Sequence, residues 1–150
     1  MARHYIYIVV HERVPTRERC HRLLNGRHDS PDCARCGLRD TQTHRFCLCS
    51  WVSQAWDKLR DLLSILEYEC IYESDYNLLH LNFNKFSRDN AVVWLIGNYV
   101  LFIEEQMILK DRRVTGDQLV GWLRAKLLEC KNRAMPDLGY IPGVHPTGIG

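Results

Sequence analysis

Four side chains in the first third of the chain have the types and the spacing of a metal site. Cys33 and Cys36 are separated by two residues, His44 comes after seven more, and Cys49 after a further four. Two cysteines at this spacing can direct both sulfurs inward from one tight turn, for which Gly37 supplies backbone freedom. Four thiolate and imidazole ligands leave no open position on zinc, which is typical of a structural site. The pattern therefore predicts one structural Zn²⁺ bound by these four residues.

The segment 28–50 that carries these residues shows no helical or strand periodicity and has few apolar side chains. Burial of apolar surface cannot offset the entropy of ordering it, whereas structural zinc contributes on the order of 10 kcal/mol. We therefore expect the segment to be unfolded without metal. Cys47 is an alternative fourth ligand, but its spacing of two residues from His44 is tighter than usual, which favours Cys49. His28 is an outside candidate.

The seven cysteines are an odd number, and the first ten residues lack the features of a secretory signal. Both observations predict reduced thiols and an intracellular location, nuclear or cytoplasmic, and not a disulfide framework. Cys20, Cys70 and Cys130 lie at core-like positions outside the metal pattern, where small buried hydrophobic residues are expected.

Charge is distributed unevenly along the chain. Residues 1–60 hold 11 Lys/Arg against six acids, whereas residues 61–150 hold nine against 12. A polyanion such as RNA or DNA would therefore meet the front half. The candidate phosphate contacts there are Arg17, Arg19, Arg22, Arg35, Arg39 and Arg45, with Trp51 or Phe46 available for base stacking. The alternative is an ordinary solvated basic surface, with the aromatic side chains packing the zinc loop against the next helix.

The elements that must position the metal site are mainly helices, and the predicted fold is a small mainly α domain with a CCHC zinc loop near its N-terminus. The chain divides into a basic zinc-binding module with flanking helices (1–66), a helical region packing on it (67–135) and a disordered tail (136–150) rich in Pro and Gly. Residues 5–10 fit either a short strand or the start of a buried helix, and we expect the helix. A second helix is expected over Arg17–Leu24, capped by Thr16, and a mixed connector over 67–87.

Three longer helices follow from periodicity and capping signals. The first, capped by Ser50, carries a stripe of apolar residues three or four apart: Val52, Ala55, Trp56, Leu59, Leu62, Leu63 and Leu66. The second runs from Asp89 or Asn90 to about Lys110, and its apolar run Ala91–Ile103 is shorter than the roughly 20 residues of a membrane helix. A core helix without membrane contact is therefore expected. The third begins at the capping-box pair Thr115 and Gln118 and ends near Arg133.

Several motifs together resemble a known family. They are Val14-Pro15-Thr16-Arg17-Glu18-Arg19, then Cys33-x2-Cys36-Gly37, Asp40-Thr41-x2-His44-Arg45-Phe46-x2-Cys49, and Trp56 in an amphipathic helix. The combination, over residues 8–66, resembles the zinc-binding region that follows the reverse transcriptase domain of non-LTR (LINE-type) retrotransposons. The resemblance implies a module that helps a reverse transcriptase polypeptide engage template RNA or target DNA.

Enzymatic activity is not expected. The sequence has no Tyr-x-Asp-Asp polymerase motif, no endonuclease signature and no phosphate loop, and a closed zinc site does not catalyse. The chain is therefore similar to a fragment or remnant of a retrotransposon protein. The alternative function is a structural or protein-interaction module in which zinc only clamps helices together, leaving an apolar face around Trp94, Tyr99 and Phe102 for a partner.

Overall fold

A computed structural model describes residues 7–23, 30–66, 75–80 and 90–132, and this part of the chain is mainly helical, as predicted. Residues 7–10 are helical, and five α-helices follow: α1 (Arg17–Leu23), α2 (Ser53–Leu66), α3 (Asp75–Leu79), α4 (Asn90–Phe102) and α5 (Gly116–Asn132). Two π-helical segments lie between them: one over His44–Leu48, which we call the π turn, and one over Ile103–Leu109, which continues α4. The predicted tail 136–150 lies outside the described residues.

The capping signals at α1 and α5 are confirmed. The Thr16 hydroxyl accepts a hydrogen bond from the Arg19 amide at 3.2 Å. At α5, the Gln118 amide donates to the Thr115 hydroxyl at 3.2 Å, and the Thr115 amide donates to the Gln118 side chain at 2.9 Å. This reciprocal pair satisfies amides that have no partner within the helix.

The predicted Ser50 cap of α2 is wrong. The helix begins at Ser53, because the chain first makes an extra turn in which the amides of Val52 and Ser53 donate to the Cys49 carbonyl at 2.9 and 3.1 Å. This turn places Val52 in the core although it precedes the helix.

The hydrophobic core lies where α2, α4 and α5 pack on one another. The predicted stripe of α2 is buried from Val52 to Leu63, while the Leu66 side chain lies outside the described residues. Tyr99 and Phe102 are fully buried, with the Tyr99 ring 5.3 Å from that of Trp56, and Trp94 is half-buried. The expected apolar face for a partner is therefore wrong, because two of its three residues form the core.

Residues from both predicted segments, 1–66 and 67–135, share this core, which extends from Val9 to Leu127. The short helix α3 contributes the buried Leu78 and Leu79 from within the predicted connector. The only β pairing in the described residues is an isolated antiparallel bridge between Asp32 and Arg39. The metal-site segment is thus attached to the helices without a sheet.

The predicted helix from Asp89 or Asn90 to about Lys110 is confirmed, with α4 followed by the π-helical segment that ends at Leu109. By length and composition alone, Ala91–Leu109 could cross a membrane, but 61% of its apolar window is buried inside the structure. Such burial is what a core helix shows, because neighbouring helices cover it on more than one side.

Candidate metal centre

The structure brings the four predicted metal-binding side chains together. The sulfurs of Cys33, Cys36 and Cys49 and a ring nitrogen of His44 all lie within 4.8 Å of one another. The Cys33 and Cys49 sulfurs are 4.0 Å apart, and His44 Nε2 is 3.2 Å from the Cys36 sulfur. Four such donors around one zinc stand roughly 3.5–3.8 Å apart, given bonds of about 2.0 Å to nitrogen and 2.3 Å to sulfur. The four side chains can therefore hold a metal ion.

Cys33 and Cys36 lie in a tight reversal of the chain, residues 31–39, which we call the knuckle. The Gly37 amide donates to the Cys33 carbonyl at 2.9 Å, and the Cys33 amide donates to the Leu38 carbonyl at 2.6 Å. Gly37 has a φ of 81°, a left-handed conformation that costs glycine nothing but strains other residues. The predicted role of Gly37 in this turn is confirmed, and the reversal directs both sulfurs to one side.

His44 is the first residue of the π turn and Cys49 directly follows it, so both lie before α2. The Cys49 amide donates to the His44 carbonyl at 2.8 Å, the i to i+5 bond of a π-helix. The two residues bonded in this way are the two that face the cluster. The Thr41 hydroxyl accepts from the His44 amide at 3.1 Å and the Thr41 carbonyl from the Arg45 amide at 2.9 Å, which fixes the start of the turn.

Asp40 and Arg45 anchor the π turn to two helices. Asp40 Oδ2 accepts from the Arg17 amide of α1 at 2.8 Å and from the Arg45 guanidinium at 3.1 Å. The same guanidinium reaches Glu104, beyond α4, at 3.3 Å. Arg45 is buried between two carboxylates and cannot offer its charge to a phosphate without breaking both pairs. The prediction that Arg45 contacts nucleic acid is therefore wrong in this fold.

The Arg35 side chain also makes contacts that hold the fold together. Its guanidinium lies 3.0 Å from the Asp111 carboxylate, donates to the Met107 carbonyl at 3.2 Å and sits 5.5 Å from the Trp51 ring centre. These contacts join the knuckle to the end of the second π-helical segment. Of the predicted phosphate contacts, Arg22 and Arg39 are the most exposed, and both pair with the single carboxylate of Glu18.

The remaining predicted arginines are half-buried. The Arg19 guanidinium donates to the Glu12 carbonyl at 3.0 Å, and Arg17 holds Asp40 through its main-chain amide. Among the predicted stacking residues, Phe46 is fully buried and cannot reach a base, whereas Trp51 is half-buried.

The electrostatic environment favours the metal-binding form of His44. Burial lowers the pKa of His44, and the charge of Arg45 lowers it further, against the opposing effect of Asp40. The imidazole is therefore neutral near neutral pH, as a metal ligand must be. Burial raises the pKa of the Cys49 thiol to about 12. Burial also disfavours ionisation of Cys33, but hydrogen bonds from the amides of Arg35 and Cys36 outweigh it and lower the pKa of Cys33.

The other cysteines that the structure describes do not join the cluster. Cys47 is buried in the π turn, where burial raises its pKa strongly, and its sulfur is not among the four that converge. Geometry thus favours Cys49, as the spacing argument did. Cys20 and Cys130 are half-buried, so the expectation of fully buried thiols does not hold for them, while Cys70 and His28 lie outside the described residues.

Comparison with known proteins found no match. No protein-family model, no curated protein and no solved structure is similar to this chain.

Sequence reasoning missed the groups that hold the site in place. Glu104 lies 59 residues from Arg45 along the chain, and no local pattern connects the two. Asp40 and Thr41 did carry a signal, since this acid–threonine pair stands a few residues before the predicted ligand His44. Their conformational role as the start of the π turn was not recognisable without the fold.

Proposed function

We propose that Cys33, Cys36, His44 and Cys49 bind one Zn²⁺ and that this ion clamps the knuckle to the helical core. The observation that carries the proposal is the convergence of four soft or borderline donors within 4.8 Å, with Cys33, His44 and Cys49 buried. A harder ion such as Mg²⁺ or Ca²⁺ would need oxygen ligands, and the cluster has none. Four protein ligands leave no position for a substrate or a water, so the role is structural and we expect no catalysis by the metal.

The experiment is metal analysis of the purified chain and of five variants: Cys33→Ser, Cys36→Ser, Cys49→Ser, His44→Ala and Cys47→Ser. We expect one zinc per wild-type chain, loss of tight binding in the first four variants, and retention in Cys47→Ser. The last variant is the matched control, because Cys47 is a buried thiol in the same π turn. Metal retained in Cys49→Ser but lost in Cys47→Ser would overturn the assignment of the fourth ligand, and a metal-free wild-type chain would overturn the site.

We further propose that the zinc-clamped module contacts RNA or DNA through exposed arginines of its front half. Arg22 and Arg39 support this proposal, because their side chains are 62% and 64% exposed and share the one carboxylate of Glu18. Two guanidiniums with one acid between them leave an uncompensated positive charge, which attracts phosphates. Arg17 and Arg19 lie on α1 together with Arg22, and their half-buried side chains are secondary candidates for phosphate contacts.

A titration of oligonucleotide binding against salt tests this role, since affinity based on phosphate contacts falls steeply with ionic strength. We expect Arg22→Ser/Arg39→Ser to weaken binding and to reduce the salt dependence. Lys126→Ser/Lys131→Ser, on the far part of α5, removes the same charge elsewhere and is the control. If the wild-type chain does not bind oligonucleotides even at low salt, the proposal is overturned in favour of the alternative, a module in which zinc only clamps helices together.

The motif resemblance supports a specific origin for such a module. We propose derivation from the zinc-binding region of a non-LTR retrotransposon reverse transcriptase, with the rest of that polypeptide as an additional partner and a reducing nuclear or cytoplasmic location. Placing the chain directly after a reverse transcriptase domain of this type and measuring primer extension tests the idea. Equal extension with wild-type and Cys36→Ser modules would contradict it.

A further inference from the structure

A basic loop from the acidic half of the chain lies against the metal centre. The loop, residues 110–113, has the sequence Lys-Asp-Arg-Arg and follows the second π-helical segment. It is fixed at three points: Asp111 pairs with Arg35 of the knuckle at 3.0 Å, the Arg113 guanidinium donates to the Ser50 carbonyl at 3.3 Å, and the Val114 amide donates to the Trp51 carbonyl at 3.1 Å. Ser50 and Trp51 directly follow the metal-facing Cys49.

The loop has two positive charges in excess. Asp111 is neutralised by Arg35, and Lys110 pairs with Glu105 at 3.9 Å. Arg112 and Arg113 are both exposed, and in the described part of the chain neither is found in an ion pair with a carboxylate. Backbone and ion-pair contacts hold the loop in place, so its two uncompensated arginines are suited to bind a polyanion whose charges are regularly spaced.

We propose that Arg112 and Arg113 bind the sugar-phosphate backbone of a nucleic-acid strand beside the metal centre. This rests on the proposed nucleic-acid role and deepens it by naming a binding surface in the half of the chain whose net charge is negative. Arginine presents a planar fork that pairs with phosphate oxygens, and successive arginines can reach successive phosphates. Because the knuckle and the turn after Cys49 both hold the loop, little conformational entropy is lost on binding.

The test uses the full zinc-loaded chain and a fluorescent single-stranded oligonucleotide, titrated at several salt concentrations. Arg112→Ser/Arg113→Ser is compared with the control Lys126→Ser/Lys131→Ser, which removes the same charge from α5. Lys131 lies 15 residues beyond Gly116, so on the order of 20 Å separates the control site from the start of the helix. Arg112→Lys/Arg113→Lys keeps the charge and shows whether charge alone suffices. Zinc content and thermal unfolding establish that each variant is folded.

We expect Arg112→Ser/Arg113→Ser to bind on the order of tenfold more weakly than wild type. The slope of log affinity against log salt should become less negative by about 1.4, the value for two lost single-strand phosphate contacts. The control should change affinity much less, and the lysine pair should recover most of the binding. A wild-type chain that binds, together with a serine pair equal to the control, overturns this inference and leaves the proposed function standing. A wild-type chain that does not bind overturns both, and equal affinity for polyglutamate overturns the nucleic-acid assignment of the loop.

Discussion

Two segments supply the metal-facing side chains, and they are built differently. In the knuckle, residues 31–39, only Cys33 is buried, and the other contacts include backbone hydrogen bonds and the polar contacts of the Arg35 and Arg39 side chains. In the segment 44–49, every residue except Leu48 is buried, and Phe46 packs fully into the core. The Phe46 carbonyl accepts a hydrogen bond from the buried Tyr99 hydroxyl. One half of the site is thus part of the helical core, whereas the other half is attached to it.

The difference predicts which segment depends on the proposed zinc. Because the segment 28–50 is poor in apolar residues, its sequence predicts that the whole segment unfolds without zinc. The structure narrows this expectation, because Phe46 and Cys47 provide the π turn with apolar burial of its own. In the knuckle only Cys33 is buried, and the apolar surface of one cysteine does not offset the conformational entropy of the segment. We therefore infer that zinc orders the knuckle, on a π turn that folds with the helices.

Removal of the metal should have the largest effect and should be confined to the knuckle. Structural zinc contributes on the order of 10 kcal/mol, far more than the backbone bonds of one turn. After chelation, we expect hydrogen exchange at the Cys33 and Gly37 amides to become nearly unprotected, while the Cys49 and Trp56 amides stay protected. Simultaneous loss of protection at all four amides would show that the knuckle and the π turn unfold as one cooperative unit. That result would contradict the inference that zinc orders the knuckle alone.

Truncation of the π turn should have the next largest effect. Phe46→Ala removes a fully buried ring, and we expect it to cost about 3–5 kcal/mol in the free energy of unfolding. Leu38→Ala, in the knuckle, removes a side chain that is 61% exposed and should change stability by less than about 0.5 kcal/mol. Urea unfolding of the zinc-loaded variants measures both. Similar costs at the two positions would show that the knuckle is also packed.

Local sequence signals predicted the helices that form the core but could not predict the π turn that presents His44 and Cys49. The Thr115 and Gln118 capping box and the apolar stripe of α2 are encoded within a few residues, so spacing alone identifies them. The π turn is only five residues long, too short for a periodic pattern. The extra turn that displaces the start of α2 from Ser50 to Ser53 has no signature in sequence either.

Long-range pairing explains the error at Arg45. Nothing in the neighbouring residues distinguishes it from Arg39, yet one is buried between Asp40 and Glu104 and the other is exposed. Only the fold brings Glu104 to the π turn, so a surface role and a core role were indistinguishable at the level of sequence. The position of the loop 110–113 beside the knuckle could not be predicted for the same reason, because it depends on the packing of α4.

Two glycine substitutions should have opposite signs and compare the knuckle with a helix directly. Gly37→Ala places a side chain at a φ of 81° with no steric neighbour, so the expected cost is the left-handed strain alone, about 1–2 kcal/mol. Gly121→Ala, on the exposed face of α5, also meets no neighbour and should stabilise by about 0.5–1 kcal/mol. Unfolding of the zinc-loaded variants in urea measures both. Stabilisation by Gly37→Ala would show that the knuckle turn differs from the one described.

The smallest expected effect is a pH dependence at the anchor of the π turn. Burial raises the pKa of Glu104 above its ordinary value of 4.5, against the opposing charge of Arg45. The folded protein therefore holds this proton more tightly than the unfolded chain, so the contribution of Glu104 to stability is greatest below pH 4.5 and declines as pH rises through the folded pKa. Glu104→Gln cannot ionise and should lack this decline.

The measurement is the difference in unfolding free energy between wild type and Glu104→Gln from pH 4 to 7. Acid also removes zinc, but it does so in both proteins, so the difference isolates the carboxyl group. Glu105→Gln is the control, because this neighbouring carboxylate is more exposed and pairs only with Lys110 at 3.9 Å. If Glu105→Gln alters the pH profile as much as Glu104→Gln does, the anchor is not a buried pair. The π turn would then be held by Phe46 and by the contacts of Asp40 and Thr41, without a contribution from Glu104.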